Sequence, residues 1–91
     1  MPAENSAVSR NPEVVARLIE GETVLLNLDS GIYYSLEKTG SRIWELIDGS
    51  KTPADIAGVM AGEYEVEYST ALNDILELLN DLENEGLLKT P

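Results

Sequence analysis

Residues 23–47 read TVLLNLDSGIYYSLEKTGSRIWELI, and they decide the fold because the apolar pattern changes its period within them. Up to residue 36 the segment is rich in strand-forming residues, and DSG at 29–31 supplies a connection with glycine where a positive φ is needed. After residue 37 the core-facing positions follow the helical spacing i, i+3, i+4 and i+7, namely Gly40, Ile43, Trp44 and Ile47. The stretch predicts two strands followed by a helix.

A further strand is predicted just before this stretch. Residues 15–20 read VARLIE, and Gly21-Glu22 can form a two-residue hairpin loop into the strand at 23–28. The strand at 32–36 then makes a third. Together the three segments predict a small antiparallel meander.

Two more helices follow. TPAD at 52–55 is a helix start, with Thr52 as N-cap, Pro53 at the first helical position and Asp55 in the first turn. We expect this helix to end at Gly62. The third helix should run from Ser69 to Glu85 and end at Gly86 in a left-handed conformation, with Leu87 in contact with Leu82.

The order of elements defines the fold class and the domain. We predict an α+β fold resembling a winged helix-turn-helix, with a three-stranded antiparallel sheet followed by three helices. Residues 1–12 are polar, contain two prolines and lack periodicity, so a flexible N-terminal tail is expected there. The folded domain is expected at 13–89.

The composition argues against catalysis. The chain has neither cysteine nor histidine, which removes thiolate nucleophiles, Ser-His-Asp arrangements and Cys/His zinc sites. Calcium-loop and phosphate-loop motifs are also missing. We therefore expect a protein that is not an enzyme, with no catalytic residues, no metal and no cofactor.

Charge and hydropathy bear on partners and location. The net charge is −11, from 17 acidic and 6 basic residues, and a field of this sign repels phosphate backbones and anionic lipid. No apolar run is long enough to span a bilayer, and the first residues do not form a secretory signal. A cytoplasmic protein that binds neither nucleic acid nor membrane is the expectation.

The third helix carries more apolar residues than a core stripe needs. A stripe of about 120° is sufficient for the core and contains Leu72, Ile75, Leu76, Leu79 and Leu82. Beyond one edge of it lie Ala71 and Leu78, beside acidic residues that include Asp74 and Asp81. Leu78 either packs under a neighbouring element or, with Ala71, floors a groove for an extended peptide that has apolar anchors and a basic residue.

The third strand leaves two alternatives open as well. Tyr33 and Tyr34 are adjacent, so their side chains point to opposite faces of the sheet. A strand at the sheet edge also offers unpaired N–H and C=O groups to an extended partner. Tyr33 is either an aromatic covering the sheet or a neighbour of a docked strand.

The sequence resembles the PqqD-like proteins, the stand-alone recognition elements of ribosomally made, post-translationally modified peptides. The resemblance covers about residues 14–88 and rests on VLLNLDSGIYYSL at 24–36, GSRIWELIDG at 40–49, TPADI at 52–56 and EGLL at 85–88. The Gly-x-Tyr-Tyr turn and Trp44 look more like the broader PqqD-like group, including members from lasso peptide clusters, than like the PqqD of pyrroloquinoline quinone biosynthesis.

The resemblance implies a function and a site. In such proteins a precursor's leader peptide adds a strand to the third strand and lies in the cleft between that strand and the third helix. The modifying enzyme is a radical S-adenosylmethionine protein or a leader peptidase with a cyclase. The peptide-binding residues implied here are Ile32, Tyr33, Tyr34, Ser35, Leu36, Ala71, Asp74, Ile75, Leu78 and Asp81.

Two other functions remain as alternatives. A helix-turn-helix DNA-binding regulator has the right size, but acidic residues occupy the positions where a recognition helix needs Arg, Lys, Asn or Gln. A structural dimerisation module would use the exposed strand edge. The chain is therefore expected as a monomer or as an edge-paired or domain-swapped homodimer.

Overall fold

The computed structural model describes residues 3–89, and it confirms a three-stranded antiparallel sheet followed by three helices. Two short strands at the ends of the chain were not predicted. None of the helices within residues 3–89 is long and apolar enough to cross a membrane. The elements in chain order are β1 (Ser9–Arg10), β2 (Val14–Ile19), β3 (Glu22–Asn27), β4 (Tyr33–Leu36), α1 (Lys38–Leu46), α2 (Pro53–Tyr64), α3 (Tyr68–Asn84) and β5 (Leu88–Lys89).

The main sheet has the order β2-β3-β4, so β3 is central and both neighbours are edge strands. The β2–β3 hairpin turns at Glu20 and Gly21, whose φ angles are 51° and 85°. Two successive positive φ values are typical of a type I′ turn, which matches the twist of the flanking strands. The loop therefore lies one residue earlier than the predicted Gly21-Glu22.

One face of the sheet packs on the helices. From β3, Thr23, Leu25 and Asn27 point into the core and are buried. The Thr23 hydroxyl donates to Ser41 Oγ at 2.7 Å, and that hydroxyl donates to the Leu36 carbonyl at 3.1 Å. These bonds satisfy buried polar atoms and fix α1 against β3 and β4.

The start of α2 is confirmed. Asp55 N–H donates to Thr52 Oγ1 at 3.1 Å, and Thr52 N–H donates to the Asp55 carboxylate at 3.0 Å, which is a capping box with Pro53 in the first turn. The predicted end at Gly62 is wrong. The helix continues to Tyr64 because Glu65, with φ of 52°, adopts the left-handed conformation that terminates it.

The end of α3 is also confirmed. Gly86 has φ of 71°, its N–H donates to the Glu83 carbonyl, and the Leu87 N–H donates to the Leu82 carbonyl at 2.9 Å. This is a Schellman motif, and Leu87 and Leu82 are both fully buried beside it. The side-chain amides of Asn11 and Asn27 both donate to the Gly86 carbonyl, which attaches the helix end to the sheet.

The segment expected to be a tail differs from that expectation. Val8 is 7% exposed and belongs to the core, and Ser9–Arg10 pair with Leu88–Lys89. Arg10 lies over the Trp44 ring at 4.8 Å and donates to the Trp44 carbonyl. A two-residue strand has no periodicity to detect, and its partner is almost eighty positions away. The part of the predicted tail at positions 1–2 lies outside the described residues.

Candidate functional site

The outer edge of β4 carries unpaired backbone groups, and the hydrogen-bond register shows which. The Asn27 N–H donates to the Ile32 carbonyl, so Asn27 and Ile32 form a hydrogen-bonded pair. Antiparallel ladders alternate, so the Leu25–Tyr34 and Thr23–Leu36 pairs also bond toward β3. The N–H and C=O groups of Tyr33 and Ser35 therefore point away from the sheet.

This register refines the predicted strand. Tyr33 and Ser35 expose their backbone at the edge, whereas Ile32, Tyr34 and Leu36 turn theirs inward. The side chains alternate accordingly, with Leu36 buried, Tyr34 half-buried and Tyr33 70% exposed. Ile32 lies just before the strand and is 40% exposed.

The predicted shoulder of α3 is partly wrong. Ala71 is 5% exposed and lies in the core with Ile75, so it does not flank the stripe. Leu72 and Leu76, predicted to be core, are only half-buried. The buried stripe is rotated toward Ala71 and comprises Ala71, Ile75, Leu79 and Leu82. Leu78 is the half-buried leucine at the edge of the stripe.

A groove runs along this flank of α3. It is open to solvent, has a volume of about 310 Å³ and is lined by Asp74, Glu77, Leu78 and Asp81. Burial raises the pKa of the Tyr34 phenol, and the negative charges of Asp81 and Glu85 raise it further. These carboxylates therefore lie close to the inward-facing tyrosine of β4, which places the groove beside the edge strand.

A second cavity continues from the groove at Asp74, which lines both. Its volume is about 200 Å³ and its wall is almost entirely apolar. It lies where α1, the end of α2 and the first half of α3 meet. Sequence reasoning identified Ala71, Asp74 and Ile75 among its lining residues but missed Thr39, Ile43, Met60, Tyr64 and Val66. The exposed apolar residues Tyr64, which ends α2, and Val66, in the turn before α3, were the available signal.

The carboxylates of the groove differ from those that the described residues hold in ion pairs. Arg42 binds Glu63 at 2.6 Å and Glu45 at 3.3 Å, and Lys51 binds Asp48 at 2.7 Å. These partners lower the pKa of Glu63 and Asp48. Within residues 3–89 no cation lies at ion-pair distance from the groove carboxylates, Asp74, Glu77 and Asp81, or from Glu85.

The face of the sheet turned away from the helices is apolar, and sequence reasoning did not identify it. The register aligns Val15, Leu26 and Tyr33 across the three strands, and Arg17 aligns with Val24 beside them. Val15, Ile19 and Tyr33 are exposed, at 37%, 54% and 70%. We call this the outer face, comprising Val15, Arg17, Ile19, Val24, Leu26 and Tyr33.

The arrangement defines a class of protein: a small winged-helix-like domain with an open strand edge beside a groove. The helix α3, Tyr68–Asn84, contains no lysine or arginine. The family model for coenzyme PQQ synthesis protein D (PqqD) matches residues 22–88. The chain belongs to the PqqD family. Comparison with curated proteins gave no significant match.

Solved structures show the same fold. TbiB1, in complex with the TbiA(beta) leader peptide, is 36% identical, with a TM-score of 0.83 over 91% of this chain and 96% of TbiB1. A lasso peptide synthetase B1 complexed with its leader peptide is 30% identical, with a TM-score of 0.83 over 93% and 100% of the two chains. The third structure is the PqqD part of PqqCD from Methylobacterium extorquens, a recognition element that is 22% identical to this chain. Its TM-score is 0.83 over 99% of this chain and 96% of that chain. At this identity the match supports the fold alone.

Proposed function

We propose that this chain binds the leader segment of a ribosomally synthesised precursor peptide and presents it to a separate modifying enzyme, as a binding protein without catalysis of its own. The observation that carries the proposal is the open edge of β4, where the backbone groups of Tyr33 and Ser35 point toward solvent beside the α3 groove. Strand addition at such an edge is a common mode of peptide recognition. The two leader-peptide complexes at 36% and 30% identity support the same conclusion.

The peptide in this proposal forms a fourth strand. Two residues at the edge offer two donors and two acceptors, so four backbone hydrogen bonds can form regardless of peptide sequence. Peptide side chains opposite Tyr34 would point toward α3 and contact Leu78. An apolar side chain beyond the paired segment would enter the cavity between Tyr64 and Ala71.

The outer face supports the second part of the proposal, which is presentation of the bound peptide to a modifying enzyme. Exposed apolar side chains on a sheet face are typical of a docking surface, and a docked strand would extend this face by one strand. Arg17 has no ion-pair partner within residues 3–89. We infer that the enzyme contributes an apolar surface with a carboxylate. Val15→Glu should leave peptide affinity unchanged and slow processing of the bound precursor.

The recognition domain in this proposal extends beyond the predicted 13–89. Val8 is part of the core and β1 pairs with β5, so removal of residues 3–12 would expose buried apolar surface. We place the start of the domain at Val8.

Amide hydrogen exchange on the ¹⁵N-labelled protein tests the proposal directly. The TbiA(beta) leader peptide is the first probe, because it binds a protein 36% identical to this chain. Binding should slow exchange at the Tyr33 and Ser35 amides, which have no partner in the sheet, and leave the Tyr34 amide nearly unchanged. Saturable binding that protects neither Tyr33 nor Ser35 would exclude strand addition at β4.

The helix-turn-helix alternative is not favoured. The solvent-exposed side of α3 carries Asp74, Glu77 and Asp81, and the chain has a net charge of −11. Phosphate contacts need cations in these positions. Self-association through a strand edge remains a separate prediction.

A further inference from the structure

We propose that the peptide recognised by this chain is basic on the side that faces α3, with lysine or arginine at alternate positions of the docked strand. The inference rests on the proposed function and specifies the chemistry of its ligand. Two features carry it: the unneutralised carboxylates that line the groove, and the geometry of a strand laid along β4.

Carboxylates without a cation also occur elsewhere in the described residues, but in the groove three of them, Asp74, Glu77 and Asp81, line one surface. Where Glu63, Glu45 and Asp48 occur, Arg42 and Lys51 are within 2.6–3.3 Å of them. No such partner reaches the groove carboxylates in the described part of the chain. Like charges one helical turn apart, as at Asp74, Glu77 and Asp81, repel each other in the unbound protein. A cation supplied by a ligand would relieve this repulsion.

The strand geometry places ligand side chains against these carboxylates. Residues opposite Tyr33 and Ser35 would project on the outer face, whereas residues opposite Ile32, Tyr34 and Leu36 would project toward α3. Inward side chains of a strand recur about every 6.8 Å. One turn of α3, from Asp74 to Leu78, rises about 6 Å. Successive inward side chains therefore meet successive turns of the groove.

The position of Tyr34 links the two elements. Its hydroxyl experiences the charges of Asp81 and Glu85, so the beginning of β4 lies beside the second half of α3. At the other end, Thr39, just after β4, lines a cavity together with Asp74. The edge strand thus follows the carboxylates along the helix, and a strand docked on it would be within reach of several of them.

We expect mRNA display to test the inference, with a library of random twelve-residue peptides. With the intact chain as bait at 0.1 M NaCl, selected peptides should be enriched in Lys and Arg over Asp and Glu, with a period of two residues. Against the Asp74→Asn/Asp81→Asn variant, this enrichment should fall by at least half. These side chains are exposed and make no internal bonds, so the variant should fold normally.

A matched control removes the same charge elsewhere. Glu13→Gln/Glu22→Gln changes the net charge by the same amount at two exposed positions of the hairpin region, one just before β2 and one at the start of β3. Peptides selected by the parent chain should bind this control with unchanged affinity. Raising NaCl to 1 M shortens the screening length from about 10 Å to about 3 Å. The dissociation constant of a selected peptide should then rise about three- to tenfold for the parent and the control, and less than twofold for Asp74→Asn/Asp81→Asn.

The outcomes separate the two proposals. Enriched peptides that protect the Tyr33 and Ser35 amides but show no excess of Lys and Arg would overturn the charge inference and leave peptide recognition standing. A basic excess that persists in Asp74→Asn/Asp81→Asn, or vanishes equally in the hairpin control, would also overturn it. Failure of the library to yield any saturable binder would count against peptide recognition and, with it, the charge inference.

Discussion

The sheet has two open edges, and the difference between them explains why an unpaired strand alone does not make a binding site. The β2 edge is the longer, but its exposed strand projects beyond the helices, with Pro12 and Glu13 before it and Glu20 after it. Proline and charge at the ends of an edge strand discourage further pairing. The β4 edge is shorter, but the α3 groove lies beside it and can hold the side chains of a docked strand.

The same difference bears on self-association. Pairing of two copies through β2 would bring together molecules of net charge −11, which repel each other. A peptide on β4 gains the backbone bonds and also the contacts with Leu78 and the adjoining cavity. The backbone supplies hydrogen bonds at both edges, and the neighbouring helix distinguishes them.

The largest effect is expected from a proline at the β4 edge. Ser35→Pro removes an outward N–H and places the ring in the path of a docked strand, yet it breaks no bond to β3. Peptide affinity should fall at least about 100-fold in calorimetry, equivalent to about 2.8 kcal/mol. Ser35→Ala keeps the N–H and should bind normally.

The counterpart on β2 is Ala16→Pro. The Leu28 N–H donates to the Glu13 carbonyl, and alternation along the ladder then turns the Ala16 backbone toward solvent. Affinity should be unchanged. An equal loss of affinity in Ala16→Pro and Ser35→Pro, with both variants folded, would mean that the two edges are equivalent and that the comparison fails.

An intermediate effect is expected at the floor of the groove. Leu78→Arg fills the space between Asp74 and Asp81 and neutralises part of their charge, so affinity should fall about 10- to 100-fold, or about 1.4–2.8 kcal/mol. Leu76→Arg is the control, because Leu76 is also half-buried on α3 but lies on the opposite flank. Calorimetry that finds the same affinity for both variants would remove Leu78 from the site.

The smallest effect is expected on the ionisation of Tyr34. Burial and the charges of Asp81 and Glu85 raise its pKa, so Asp81→Asn should move the pKa back toward the ordinary value near 10. Absorbance titration of a variant that retains Tyr34 as its only tyrosine would measure the shift. An unchanged pKa would place the Asp81 carboxylate farther from β4 than described.

The raised pKa of Tyr34 also determines how the free energy of unfolding changes with pH. An acid whose pKa is raised by folding ionises more readily in the unfolded chain. The contribution of Tyr34 is therefore present below its ordinary pKa and is lost as the pH rises past it. The free energy of unfolding should fall less steeply above pH 10 in Asp81→Asn than in the parent.

The elements that sequence predicted well are those determined by local chemistry. The helix start at Thr52 and the left-handed helix end at Gly86 involve residues within five positions of each other, so the residue types alone define them. The period-two and helical patterns of 23–47 are local in the same sense. The identity of β4 as an edge strand followed from its place in the meander.

The parts that sequence could not determine depend on neighbours. A helical wheel of α3 shows a wide apolar arc but does not show which part of it is covered, so the wheel places Ala71 on the flank and Leu72 in the core. The pairing of Ser9–Arg10 with Leu88–Lys89 depends on distant contacts. The cavity before α3 forms only when α1, α2 and α3 are assembled.

The pairing of β1 with β5 has a consequence for where a bound peptide leaves its binding site. It brings Ser9 and Lys89 side by side, next to the end of α3 that Gly86 caps. A bound peptide strand that runs antiparallel to β4 would end near Tyr33, toward this same end of α3. The segment of the peptide that is to be modified would then leave the binding site near β1 and β5. A catalytic domain tethered at either of these points would be close to the emerging segment.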